Sequence, residues 1–405
     1  MADAALPRPA PIEAGGTLKG SSRVQPASLP AVELLERAAR AVELPHAPNT
    51  IVIADYGASA GHNSLLPIRT AISVIRSRAE SGRAICVFHA DVAENNYAAL
   101  YEALDSDPQS YLHDDPATFA SSSGRSVYQQ VVPTNIVTLG WSSWAVHWLS
   151  RVPATIHDHV HIACSSDAEA KAAFARQAAD DWISFLSARS RELVPGGRLV
   201  VLTMGADDSE PGYQPLLDAL RDELAAMIGE GVVTRDEVTR MAIPSVGRTE
   251  AQLTAPFAPT NRFAGLLVED MEMFDAEDQY WTRFEKDGDA AVFAKNWTAF
   301  ARASVFPTLI AFLDEDAERR QRFVERLETG LRDRLTADPK RVRIPLAKCC
   351  WTNEAGRAEP TDPVPAVSRP RTPRRSTLPT HAATSGCSVP EAGYPRLSAR
   401  TGRQA

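Results

Sequence analysis

The chain has 405 residues, room for two or three domains, with 44% hydrophobic and 23% charged residues and a formal net charge of −8. The acidic balance speaks against a general nucleic-acid binder, which carries a basic face, and no apolar run approaches the roughly 18 residues of a membrane span. The start has neither the basic segment nor the apolar stretch of a secretory signal, and five scattered Cys without CxxC spacing suggest neither a disulfide framework nor a zinc site, so a soluble, cytoplasmic protein is expected.

Residues 1–20 are rich in Ala, Pro and Gly and read as a mobile lead-in. Over 30–43, Val32, Leu35, Ala39 and Val42 recur at helical spacing. IVIAD (51–55) is a β-branched run ending in an acid, followed by GASAGHNS and a helical pattern with Leu65, Ile68, Ile72 and Ile75. ICVFHAD (85–91) is a second strand, ENNYAALYEALDSD a helix, and IVTLGWSS (136–143) a third strand from which AVHWLSRVP leads away as a helix. A long amphipathic helix from Phe174 to Leu193 stops at PGG (195–197), ahead of the strand RLVVLTMG. This alternation predicts an α/β fold with a mostly parallel sheet covered on both faces.

Beyond about Asp207 the pattern turns mainly helical, with GLLVEDMEMF (265–274) as one more strand and RVRIPLAKCCW (341–351) as the last. The expected organisation is a core over 21–207, a helical cap or substrate region over 208–313, and a returning helix and strand over 314–351. The stretch 352–405 differs from everything before it. It holds eight Pro, eight Arg and four acids, with no Ile, Phe or Trp. Such a segment buries too little apolar surface to offset its ordering entropy and is expected to be a disordered tail.

In IADYGASAGHNS (53–64) a strand ends in Asp55 and runs through a glycine turn into a helix. Glycines there let a ligand approach the backbone, and helix N-terminal amides point at it. Gly57 and Gly61 are four apart, so the spacing is not GxGxxG and a dinucleotide is disfavoured. Asp91 ends the next strand, where a carboxylate can accept hydrogen bonds from ribose hydroxyls. Two strand-end acids suit a ligand with a ribose and a positive charge and would repel a diphosphate. S-adenosylmethionine fits that description.

A series of motifs in order then resembles one family, the SABATH methyltransferases, over about residues 15–351. SSRVQ (21–25), IADYGASAGHNSL, FHADVAENNYAAL, GRSVYQQVVPTN, GWSSWAVHWLSRVP and FLSARSRELVPGGRLVV are each similar to a family segment, the fifth most specifically. MAIPSVGRTEAQL and the NWTAFARASV helix resemble its cap more weakly. The resemblance implies a Rossmann-like class I methyltransferase sheet with a mainly helical cap. It implies that Ser22, Asp55, Gly57, Asn63 and Asp91 hold the cofactor, and that Ser126 and Val127 flank its adenine or ribose. Gln25 and Trp148 would donate to a substrate carboxylate, with His147 on the same wall. Ala58 and His62 stand where plant members usually carry Cys and Pro, which alters the turn without removing a ligand.

The implied reaction is methyl transfer to a small organic acid, in a family whose members often dimerise. A carboxylate with a pKa of about 4 is already a nucleophile at pH 7, so no general base and no metal is expected, and catalysis rests on orientation. Alternatives are a ring-nitrogen or hydroxyl acceptor on a small heterocycle, a cofactor-binding but inactive interaction protein, or a nucleotide-dependent oxidoreductase.

Overall fold

Short runs of β-branched and apolar residues make the strands at the centre of the molecule. β1 (Ile51–Tyr56) is buried along its whole length, and β4 (Val137–Ser143) nearly so, as expected for strands covered on both faces. With β2 (Ile85–Asp91), β3 (Thr118–Gly124), β5 (Leu193–Met204), β6 (Arg262–Phe263), β7 (Leu266–Ala276) and β8 (Ile344–Asn353) they form an eight-stranded sheet of order β3-β2-β1-β4-β5-β8-β7-β6. The computed structural model behind this description covers residues 26–355 apart from Glu315. The expected lead-in, Ser22, Gln25 and residues 356–405 lie outside the described residues.

The pairs among β3, β2, β1, β4 and β5 are parallel, and β8, β7 and β6 join antiparallel. β1 sends the chain to β2 on one side, while β4 pairs on its other side. The connections therefore part between β1 and β4, and a crevice opens beyond their carboxyl ends, where ligands bind in open α/β sheets.

Alternate strand residues divide between two cores. Ile51, Ile53, Leu139, Val200 and Leu202 face α1 (Leu29–Ala41), α2 (His62–Arg76) and α3 (Tyr97–Ser106). Val52, Ala54, Leu199 and Val201 face α4 (Ala168–Glu192) through Trp182, Phe185 and Leu186. The apolar positions of 30–43 and 65–75 are buried, as their spacing predicts. α4 ends at Glu192, before PGG. Gly196, at φ +78°, lies within β5, whose register against β4 shifts between Val137 and Leu139.

The helical region comprises α5 (Gln214–Gly229), α6 (Arg235–Arg240), α7 (Glu250–Thr254), α8 (Gln279–Asp287), α9 (Ala290–Ser304), α10 (Phe306–Ile310) and α11 (Ala317–Ala337). Phe293, Trp297 and Phe306 are buried there, with Trp281 and Phe300 packed against them. α11 approaches α5 closely at Gly330, where a Cβ would meet the buried Glu223 carboxylate at 2.1 Å. That carboxylate receives Arg326 and Arg334 from α11.

Three sequence expectations need correction. Residues 145–153 are not a helix: Trp144 has φ +58°, and apart from a single turn closed by Trp148 N–H on the Ala145 carbonyl the segment bonds across, mainly to 243–248. β3 is an additional strand, its sequence TFASSSG too polar to carry a strand pattern because it is the half-exposed edge of the sheet. β8 continues to Asn353, whose side-chain amide donates to the Leu193 carbonyl at 2.8 Å, so Thr352 and Asn353 belong to the sheet.

Candidate active site at the ends of β1 to β4

The turn after β1 is shaped by Gly57 (φ +92°) and Gly61 (φ +87°), conformations that disfavour a side chain. The N–H groups of Gly57 and Ala58 both donate to the Ala90 carbonyl at the end of β2. Asp91 closes the other side: its Oδ2 accepts from Ser59 N–H and its Oδ1 from Val92 N–H, both at 2.7 Å. Burial pushes the Asp91 carboxyl up, with Asp55 adding to the push against those two bonds. Asp91 remains half-buried, so its carboxylate borders the crevice.

Asp55 is placed differently. It lies beside His89 in the β1–β2 register and is 1% exposed. Its Oδ2 is 2.8 Å from His89 Nδ1, and His89 Nε2 is 2.7 Å from the Tyr111 hydroxyl. Sequence reasoning missed this buried chain, since His89 and Tyr111 are far apart along the sequence and neither belongs to a periodic pattern.

Tyr97 donates toward the Asp91 and Ser123 carbonyls, which fixes the end of β3 against that of β2. The chain then enters Ser126, half-buried, and Val127, buried. Arg189 Nη1 and Nη2 donate to the Val127 and Gln129 carbonyls at 2.7 and 2.8 Å, while Glu192 Oε1 accepts from Val131 N–H at 2.6 Å. Arg189 and Glu192 pair with each other, and Tyr56 donates to Glu192 at 2.8 Å. Both residues stand in the RSRE motif, whose helical reading did not show that it pins a distant loop. Asn63 is exposed near the start of α2.

Beyond β4, a Cβ on Gly57 would sit 2.2 Å from the Ala145 Cβ, so the turn after β1 and the segment holding Trp148 are in direct contact. Trp148 is half-buried. His147 is 5% exposed, its Nδ1 has no hydrogen-bond partner among the described residues, and its ring neighbours are Trp144 and Trp148. Burial, then the Arg248 cation and the neighbouring His161, push His147 down to about 3, so it is neutral at physiological pH. Trp144 Nε1 donates to Ser28 Oγ at 3.1 Å, three residues beyond Gln25. Trp144 was also missed, since its left-handed backbone is visible only in three dimensions.

The donor set fits S-adenosylmethionine. A half-buried carboxylate faces a turn of small residues, and residues 55–63 and 91–97 include no Lys or Arg to neutralise a diphosphate. A separate open cleft of about 720 Å³ lies between α7 and the β7–β8 edge. None of the described site residues lines it, and its Arg343 is already taken by Asp207 and Asp275.

A family model described as S-adenosylmethionine-dependent carboxyl methyltransferase matches residues 18–344. The chain belongs to this family. As a carboxyl methyltransferase it is 26% identical to a salicylate carboxymethyltransferase of Clarkia breweri, over 59% of this chain and 67% of that protein. It is 28% identical to a farnesoic acid carboxyl-O-methyltransferase of Arabidopsis thaliana, over 48% and 59%, and 27% identical to a probable 7-methylxanthine methyltransferase of Theobroma cacao, over 57% and 66%. Among solved structures, loganic acid methyltransferase with S-adenosylhomocysteine superposes with a TM-score of 0.67 at 19% identity, covering 86% of this chain and 99% of that one. That likeness shows the same fold. The carboxyl methyltransferase assignment thus agrees with the fold and with the reaction read from the sequence.

Proposed function

We propose that this carboxyl methyltransferase esterifies a small, largely apolar organic acid, held by Trp148 and Gln25 beside a cofactor gripped by Asp91. The observation that carries the reading is the contact of Gly57 with Ala145: it sets the cofactor turn three residues from Trp148. Asp91 accepts from the ribose, and Ser126 and Val127 border the adenine. Asn63 and the amides opening α2 complete the cradle, with Ser22 from the N-terminal segment. Asp55 supports it from behind through His89.

The cofactor supplies a methyl group already activated on a sulfonium. The protein's share is to fix the carboxylate oxygen in line and exclude water. The Trp148 indole and the Gln25 amide donate to the anion without the charge neutralisation of a guanidinium, which would blunt its nucleophilicity. Neutral His147 lines the same wall and is a poor general base, as the reaction requires none. We further propose that residues 21–351 act as one catalytic unit, in the cytoplasm and as a homodimer, in small-molecule metabolism.

Labelled cofactor offered with salicylate, benzoate, farnesoic acid and 7-methylxanthine tests the acceptor. A base-labile ester on at least one acid is expected, and transfer to 7-methylxanthine alone would overturn the reading. Gln25→Ala with Trp148→Phe removes two donors to a charged group, about 3 kcal/mol or on the order of 100-fold in kcat/KM. Affinity for S-adenosylhomocysteine should change less than threefold.

A further inference from the structure

The segment that carries Trp148 has no regular secondary structure, so something else must hold it still. Apart from one turn, in which Trp148 N–H donates to the Ala145 carbonyl at 3.1 Å, its backbone groups are bonded from outside. Val246 N–H donates to the His147 carbonyl at 2.9 Å, and Leu149 N–H to that of Pro244 at 2.7 Å. The Tyr128 hydroxyl lies within hydrogen-bonding distance of two carbonyls, that of Val146 at 3.2 Å and, closer, that of Trp148. Arg248 Nη1 donates to the Val146 carbonyl at 2.6 Å and Nη2 to Ala178 of α4 at 3.0 Å, with the guanidinium 1% exposed and lying against Tyr128.

Tyr128 directly follows Val127 in the chain. The backbone around it is anchored independently, through Arg189 and Glu192. The tyrosine therefore hangs the acceptor wall from a fixed support, which is also the stretch bordering the adenine. Its single hydroxyl proton serves the Trp148 carbonyl and the Val146 carbonyl, the second of which Arg248 also bonds, so the two side chains support the wall together.

We infer that Tyr128 is a positioning residue for the acceptor, with Arg248 as its second support, and that the two act on the acid rather than on the cofactor. The inference rests on the reading of Trp148 as part of the acceptor wall. Because Arg189 and Glu192 keep Val127 in place, loss of the Tyr128 hydroxyl leaves the cofactor side intact. What loosens is the backbone of 146–148, and with it the aim of the Trp148 indole.

Tyr128→Phe separates these roles. Calorimetric affinity for S-adenosylhomocysteine should stay within threefold of wild type, while KM for the best acid of the panel rises at least tenfold with a smaller change in kcat. Hydrogen exchange at Trp148 and Leu149 should quicken tenfold or more, with no change across 129–132. Arg248→Lys, which keeps the charge and loses the forked reach, should give the same split. The inference fails if cofactor affinity falls as far as acid affinity, or if exchange and KM both stay at wild-type values. The wild-type protein alone can also overturn it. With no ligand present, Trp148 and Leu149 should exchange as slowly as the interior of β4, and fast exchange there contradicts a pre-held wall. If wild type methylates none of the acids, the acceptor reading is lost, while the exchange comparison still decides the role of Tyr128.

Discussion

Asp55 and Asp91 end neighbouring strands and look equivalent in the sequence, yet the fold surrounds them differently. Asp91 borders the crevice with its oxygens turned to two backbone N–H groups, whereas Asp55 is sealed in with His89 and Tyr111. Asp91→Asn should weaken S-adenosylhomocysteine binding by about 2 kcal/mol or more, some 30-fold, through loss of a charged acceptor. Asp55→Asn should instead lower stability by about 2 kcal/mol, as a buried histidine loses its carboxylate, with a cofactor effect under fivefold. Calorimetry and urea denaturation on both variants check this, and an equal loss of binding in the two would reverse the roles. The acids themselves were legible as strand ends, but not their surroundings, because His89 reaches Asp55 across a strand pair.

At the scale of elements, the strands β1, β2, β4 and β5 and the helices around them follow from periodicity, since each buries one repeating face. The stretch from Ala145 to Pro153 fails that logic. Its apolar spacing mimics a helix, but beyond one turn its hydrogen bonds go to other segments, several of them about 100 positions away. β3 is missed for the opposite reason, since an edge strand rich in serine has little to bury. The pairing of α5 with α11 rests on Gly330, whose missing side chain admits the Glu223 carboxylate. Gly330→Ala should destabilise the protein by about 2–3 kcal/mol, despite the better helix propensity of alanine, because Glu223 must leave Arg326 and Arg334. Urea midpoints decide it, and a neutral or stabilised variant would show that the helices simply slide apart.

At the scale of the whole molecule, the charge of −8 is divided unevenly along the chain. Residues 352–405 contribute eight Arg against four acids, which leaves −12 for residues 1–351. Long-range attraction therefore does not bring an acid to the site, and short-range donors must recognise it. The fold also carries histidines held neutral: burial first, then Arg248 and His161 for His147 and His159 for His161, pushes His147 down to about 3 and His161 to about 4. Depressed basic groups stabilise the folded state fully above the unfolded value of about 6.5, and that stability is lost as pH falls below it. Each contributes a slope of up to about 1.4 kcal/mol per pH unit. Urea midpoints should drop between pH 7 and pH 5, and His161→Gln should flatten the dependence; an unchanged slope would mean that both rings titrate normally. Composition, periodicity and ordered motifs determined the α/β class, the cofactor and the carboxyl-methylating family, because these depend on local pattern and on residues close together in the chain. Which acid touches the crevice, what holds Trp148 and why His147 stays neutral were decided only by tertiary structure, since each depends on partners that the sheet brings together from distant segments.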